Sequence, residues 1–264
     1  MDSYTIITVM LGMNRFHQKD TEHPFDMNAL DGYNTIWLPH VQEIEKTNSS
    51  LFYEVLTGVE QARTSNKAPE TKDNYVFIFG RGTIGSDSEE CLFEALQQTM
   101  QYYGNNVNHI IVAKSFGVGD TLTALSFFKP YHKKPNIQAL ILIDGFLPPS
   151  KKRKLAVKFS GASPDDLWRF KIPKYAKRYY NVVQRTKGTK GRLIVEENRN
   201  LVVRQDFVNK YKKCYDHYSD GYKRELEVSH FNMEEIVSII PCIRLDANFE
   251  TLPMAVEKTI TTYI

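Results

Sequence analysis

The sequence predicts an α/β fold, a mostly parallel sheet flanked by helices, and three observations carry that expectation. Nearly continuous apolar runs recur along the chain. Amphipathic stretches separate them in its central part, and polar or proline-containing breaks mark the connections. A strand covered on both faces loses the in–out alternation of a half-exposed sheet, so runs rich in Val, Ile, Leu and Phe point to parallel strands sandwiched between helices.

The first run, Thr5–Leu11, follows Asp2 without a basic leader. It is too short for a signal core or a membrane span, so it reads as a buried strand. Asn66–Asn74 is a polar link containing Pro69, and Tyr75–Phe79 is the next strand. Glu89–Tyr103 reads as a helix with Cys91, Leu92, Ala95, Leu96, Thr99 and Met100 on one face. Ser86, Asp87 and Ser88 just before it are residue types that cap helix starts. His109–Ala113, a helix from about Gly117 to Phe128, and Ala139–Ile143 continue the alternation of a doubly wound sheet. Tyr179–Gln184 and Arg224–Val228 are further strands, with one or two short helices after them.

With 264 residues, one domain with an insertion fits better than two equal halves. The stretch 146–178 is expected to be that insertion, a small cap. It opens on Pro148, Pro149 and a basic run, then mixes Phe159, Trp168, Phe170 and Tyr175 with lysines and arginines. A poorly patterned surface helix is the alternative for this stretch. Hydrophobic residues make up 42% and charged residues 25%, which excludes disorder as the default. A net charge of +3 is too small to call for nucleic acid or a membrane as partner, although Lys151–Lys213 is dense in cations and would attract anions. Cys91, Cys214 and Cys242 are odd in number and widely spaced. They make neither a disulfide framework nor a zinc site, and the simplest compartment is the reducing cytoplasm.

The chemistry centres on VAKSFGVG, residues 112–119, where a strand ends and a helix begins. A serine lifted clear of a sheet on that kind of turn needs small neighbours two residues away on each side, supplied here by Ala113 and Gly117. A serine hydroxyl is a weak nucleophile alone. It needs a histidine within hydrogen-bond reach and an acid to orient the ring. Asp144 ends the run ALILID after the helix that follows the serine, and His230 lies in SHFNM after the last strand-like run.

In that order AKSFG, LILID and VSHFNM resemble the α/β-hydrolase superfamily, most closely its thioesterase and lipase-like branches. The resemblance runs from about Tyr75 to the C-terminus. It implies Ser115 as nucleophile, His230 as base and Asp144 as acid, with Glu196 and Glu197 as reserve acids. The implied reaction is cleavage of an ester or thioester through an acyl-enzyme, without metal or organic cofactor. The HG dipeptide that often marks the oxyanion loop is missing. The backbone amides of Phe116 and Met13 are the expected donors, with the loop Gly80–Gly85 as the other source of the second one. Lys114, Phe159, Trp168 and Phe170 are the expected substrate contacts, suited to a small-molecule or carrier-bound acyl group with anionic character.

Two other readings stay open. GRGTIG, residues 80–85, is a G-x-G-x-x-G directly after a strand, the pattern of a dinucleotide pyrophosphate turn. The next strand ends in Lys114 rather than an acid, which would favour NADP over NAD. The chain would also serve as a non-catalytic binding module, with its basic aromatic stretch on an acidic partner.

Overall fold

Five of the six apolar runs form strands of one sheet. The computed structural model describes residues 4–11, 34–35, 50–65, 75–81, 88–146, 169–184, 194–195, 200–203, 228–230, 233, 236–237, 242–243 and 249–263. In chain order the elements are β1 (Tyr4–Leu11), β2 (Asn34–Thr35), α1 (Ser50–Thr64), β3 (Tyr75–Arg81) and α2 (Ser88–Tyr103). They continue with β4 (Val107–Lys114), α3 (Phe116–Phe127), β5 (Ile137–Ile143), β6 (Arg169–Phe170) and β7 (Tyr179–Gln184). Last come β8 (Ile194–Val195), β9 (Asn200–Val203), β10 (Cys242–Ile243), β11 (Phe249–Glu250) and α4 (Leu252–Tyr263). Of the expected strand Arg224–Val228, all but Val228 lies outside the described residues.

The sheet order is β2-β3-β1-β4-β5-β7-β9, and every pairing in it is parallel. Five of these strands, β1, β3, β4, β5 and β7, have six or more residues. From β1 the chain fills β2 and then β3 on one side, and returns past β1 to β4 on the other. The order therefore reverses between β1 and β4, and crevices for ligands open at the carboxyl ends of strands near such a reversal.

Alternate residues feed two cores. Ile7 and Val9, Ile110 and Val112, and Ala139, Ile141 and Ile143 pack with Leu51, Val55, Val59 and Ala62 of α1. Leu252, Ala255, Val256 and Ile260 of α4 complete that layer. On the other face Ile111, Ala113, Leu140 and Leu142 meet Leu92 and Leu96 of α2 and Val118, Leu122, Leu125 and Phe128 around α3. Each valine, leucine or isoleucine among them, fully buried, is worth roughly 1.5–3 kcal/mol. That two-sided cover is why β4 and β5 are apolar almost without a break.

α2 stops where Gly104 takes φ 70°, the left-handed turn that glycine makes at helix ends at little cost. Lys134 then closes α3, its ammonium donating to the carbonyls of Phe128, Lys129 and Tyr131. Residues 171–178 run along the amino edge of the sheet. Ala176 pairs with Ile137, the Lys177 N–H donates to the Ile137 carbonyl at 2.9 Å, and the Tyr175 hydroxyl donates to the Leu125 carbonyl at 2.7 Å. Of the expected cap, 147–168 lies outside the described residues.

Candidate active site

Three consecutive strands of the sheet, β4, β5 and β7, each end in a polar residue that is buried at the carboxyl edge or directly follows it: Ser115, Asp144 and Gln184. Ser115 joins β4 to α3 with φ 52° and ψ −120°, a backbone form that a side-chain-bearing residue holds at a cost of about 1–3 kcal/mol. Ala113, two residues earlier, is fully buried in the α2–α3 core. Ser115 occupies the N-cap position of α3, yet its side chain makes no cap hydrogen bond. Its Oγ lies 2.7 Å from His230 Nε2 instead.

Asp144 follows β5 with φ 44° and is fully buried. Its N–H donates to the Val182 carbonyl at 2.6 Å, which ties the turn to β7. The turns after β4 and β5 are also tied to each other. The Ser115 N–H donates to the Ile143 carbonyl at 3.0 Å, and the Phe146 N–H donates to the Ser115 carbonyl at 2.8 Å. The rings of Phe116 and Phe146 meet edge to face beside them, 4.7 Å between centroids.

His230 arrives from far along the chain. Val228, Met233, Ile236 and Val237 around it are all buried in the α1–α4 core, and this anchoring carries the ring over the ends of β4 and β5. Its Nδ1 is 2.6 Å from Asp144 Oδ2. A carboxylate only accepts, so Nδ1 holds the ring proton and Nε2 is left to accept from the Ser115 hydroxyl. Asp144 is 0% exposed, whereas Ser115 and His230 keep 6% and 8%. What solvent contact the three have is therefore at the serine and the histidine, and the acid has none.

The structure brings Ser115, His230 and Asp144 together. The backbone amide of Phe116 belongs to the first residue of α3, where N–H groups have no partner within the helix ladder. Lys114 is the last residue of β4 and is half-buried. Phe170 is half-buried against the α2–α3 core. Met13, Phe159, Trp168, Glu196 and Glu197 lie outside the described residues, as do positions 82–85 of the glycine motif. Gly80 and Arg81 of that motif are the last residues of β3. Among the described residues no group of three or more His, Cys, Asp or Glu side chains is placed to hold a metal ion. No helix among them is long and apolar enough to cross a membrane.

Sequence reasoning passes over Gln184. Its N–H donates to Asp144 Oδ1 and its Nε2 to Asp144 Oδ2, both at 3.2 Å. The available signal was positional, a polar residue closing the otherwise buried strand beside the one that carries the acid.

Fold and site together define an α/β protein with a hydrogen-bonded serine, histidine and aspartate at the carboxyl edge of a parallel sheet. No protein-family model matches the chain, and no curated protein matches it. Among solved structures, a cutinase-like protein from Cryptococcus sp. is similar over 61% of this chain and 70% of its own, with 11% identity and a TM-score of 0.33. That likeness is too slight to carry an argument about fold or chemistry.

Proposed function

We propose that the protein is a serine hydrolase of the α/β-hydrolase type that cleaves an ester or thioester. The observation that carries this reading is the pair of short contacts, Ser115 Oγ to His230 Nε2 at 2.7 Å and His230 Nδ1 to Asp144 Oδ2 at 2.6 Å, built on a serine with positive φ. In the proposed reaction Ser115 Oγ attacks the substrate carbonyl carbon while His230 Nε2 takes its proton. The oxyanion that forms is met by the Phe116 amide, with the Met13 amide proposed as the second donor; losing one such donor costs about 10²–10³ in rate. His230 returns the proton to the departing alcohol or thiol. A water then attacks the acyl-serine, its proton passes to His230, and the acid leaves as Ser115 regains its hydrogen. Asp144 holds the ring in the tautomer that both half-reactions need. Lys114, Phe159, Trp168 and Phe170 are proposed to contact an acyl group on a small or carrier-bound anionic substrate.

Labelling by a fluorophosphonate probe tests the reading. Wild type is expected to label, and Ser115→Ala and His230→Ala to lose labelling. A folded wild type that does not label overturns it. Turnover of short and long acyl esters against acyl thioesters then separates the substrate classes.

A further inference from the structure

We infer that Gln184 is the positioning residue of this site, gripping Asp144 from the neighbouring strand so that one carboxylate oxygen stays aimed at His230; the inference rests on the serine-hydrolase reading above. Ile143 pairs with Val182, so Gln184 stands two residues further along β7, beyond the end of β5. It is 1% exposed. Along a strand, positions 182 and 184 point to the same face, and Val182 packs in the α1–α4 core that also anchors the residues around His230. An amide buried there costs free energy unless it is hydrogen-bonded, and an apolar side chain would suit the layer better. The contacts with Asp144 supply such bonds.

Those contacts have a specific geometry. The Gln184 N–H takes Oδ1 and its Nε2 takes Oδ2, both at 3.2 Å, so the carboxylate is held at both oxygens by one residue. The plane of a carboxylate otherwise turns easily about its last bond. Oδ2 is also the oxygen 2.6 Å from His230 Nδ1. Gln184 thereby does two things. It fixes the direction in which Oδ2 faces the ring, and it draws off part of the negative charge that the ring's N–H meets. The order Gln184, Asp144, His230, Ser115 is a single run of hydrogen bonds from β7 through β5 to β4.

Removing the side-chain donor leaves the backbone N–H on Oδ1 in place, so the loss is partial. A hydrogen bond to a charged group is worth about 1.5–3 kcal/mol, equivalent to roughly 10- to 150-fold in rate. With more charge left on Oδ2, the protonated ring is better stabilised, and the acid limb of the pH–rate profile moves to higher pH. A side chain that only fills space would change neither that limb nor the ratio of kcat to KM effects.

The test is the rate of fluorophosphonate labelling from pH 5 to 9, with kcat and KM on a reactive ester, for wild type, Gln184→Leu and Gln184→Met. Expected are a 10- to 100-fold fall in labelling rate and kcat for Gln184→Leu with KM nearly unchanged, and an acid-limb midpoint above that of wild type. Gln184→Met, which keeps the length of the side chain and removes its donor, is expected to move rate and midpoint as Gln184→Leu does. A folded Gln184→Leu with wild-type rate and midpoint overturns the inference. Should that variant not fold, Gln184→Met, close to glutamine in length and volume but without a donor, decides through the same rate and midpoint, wild-type values overturning the inference. An unlabelled wild type is a different outcome, since it removes the hydrolase reading itself.

Discussion

Ser115 and Asp144 stand at the ends of adjacent parallel strands, and they are the two non-glycine residues with positive φ among those described, 52° and 44°. Each turn holds the other, because the Ser115 N–H donates to the Ile143 carbonyl and the Phe146 N–H returns to the Ser115 carbonyl. The strain is a cost that glycine would not bear. Ser115→Gly and Ser115→Ala are both expected to abolish labelling, with the glycine variant more stable by about 1 kcal/mol. That figure is strain relief of about 1–3 kcal/mol less the roughly 0.5–1 kcal/mol that glycine loses in chain entropy. Urea unfolding of the two variants checks it, and an alanine variant of equal or greater stability would show the turn to be unstrained.

Asp144→Asn is expected to lower turnover by about 10⁴ while leaving the fold intact. An amide nitrogen facing Nδ1 favours the tautomer with the proton on Nε2, where it can no longer accept from Ser115. Steady-state kinetics on an activated ester measure the loss. A fall of less than tenfold would mean that another carboxylate orients the ring.

His109 should make the protein acid-sensitive. It is fully buried on β4 with neither ring nitrogen bonded among the described residues, and burial pushes its pKa from 6.5 down to about 3. Between those two values the unfolded chain binds a proton that the folded one refuses. Stability is therefore lost as pH falls below about 6.5, with a limiting slope of about 1.4 kcal/mol per pH unit from this group. His109→Leu should lose less stability than wild type between pH 7 and 5. Equal losses in urea melts across that range would assign the acid sensitivity elsewhere.

Asp120 works in the opposite direction. Burial in α3, followed by the charge of Glu89, raises its carboxyl from 3.8 to about 7. From pH 3.8 to about 7 the folded state holds more protons than the unfolded chain, so this group's contribution is lost as pH rises through 7. Asp120→Asn, isosteric and uncharged, should melt near wild type at pH 4.5 and above it at pH 8. A gap that does not widen with pH would show that Asp120 is not the group responsible.

Gly58 marks where α1 and α4 come closest. A Cβ there would stand 2.6 Å from the Pro253 carbonyl oxygen and 2.7 Å from Val256 Cβ, and a backbone oxygen cannot swing aside. Gly58→Ala is expected to destabilise by about 1–2 kcal/mol, because overpacking outweighs the better helix propensity of alanine. Thermal unfolding should fall by several degrees. An unchanged or higher Tm would mean that the two helices separate freely.

Much of the architecture is legible in the chain because it is local. β4 and β5 are apolar on both faces, and α2 and α3 begin within a residue of where the capping types and the apolar period place them. α1 carries Leu51, Val55, Val59 and Ala62 at helical spacing after the capping types Thr47, Asn48, Ser49 and Ser50, a signal that sequence reading passes over. The two-residue strands β2, β6, β8, β10 and β11 are shorter than any period that would reveal them. The placement of β1 between β3 and β4 is equally hidden, because it depends on which helix layer each crossover packs against.

At the site, the residue types and their order along the chain could be read directly, together with the strand-to-helix setting of Ser115. Other features required the fold. His230 lies 115 residues from Ser115 and 86 from Asp144, and its ring reaches them because Val228, Met233 and Ile236 bury in a core assembled from α1, α4 and the sheet. Gln184 meets Asp144 only because β7 lies beside β5 in a register that carries it past the strand end. Period, propensity and capping act over a few residues, so a sequence states them openly. Which distant groups meet depends on which apolar faces cover one another, and that balance is struck over the whole chain at once.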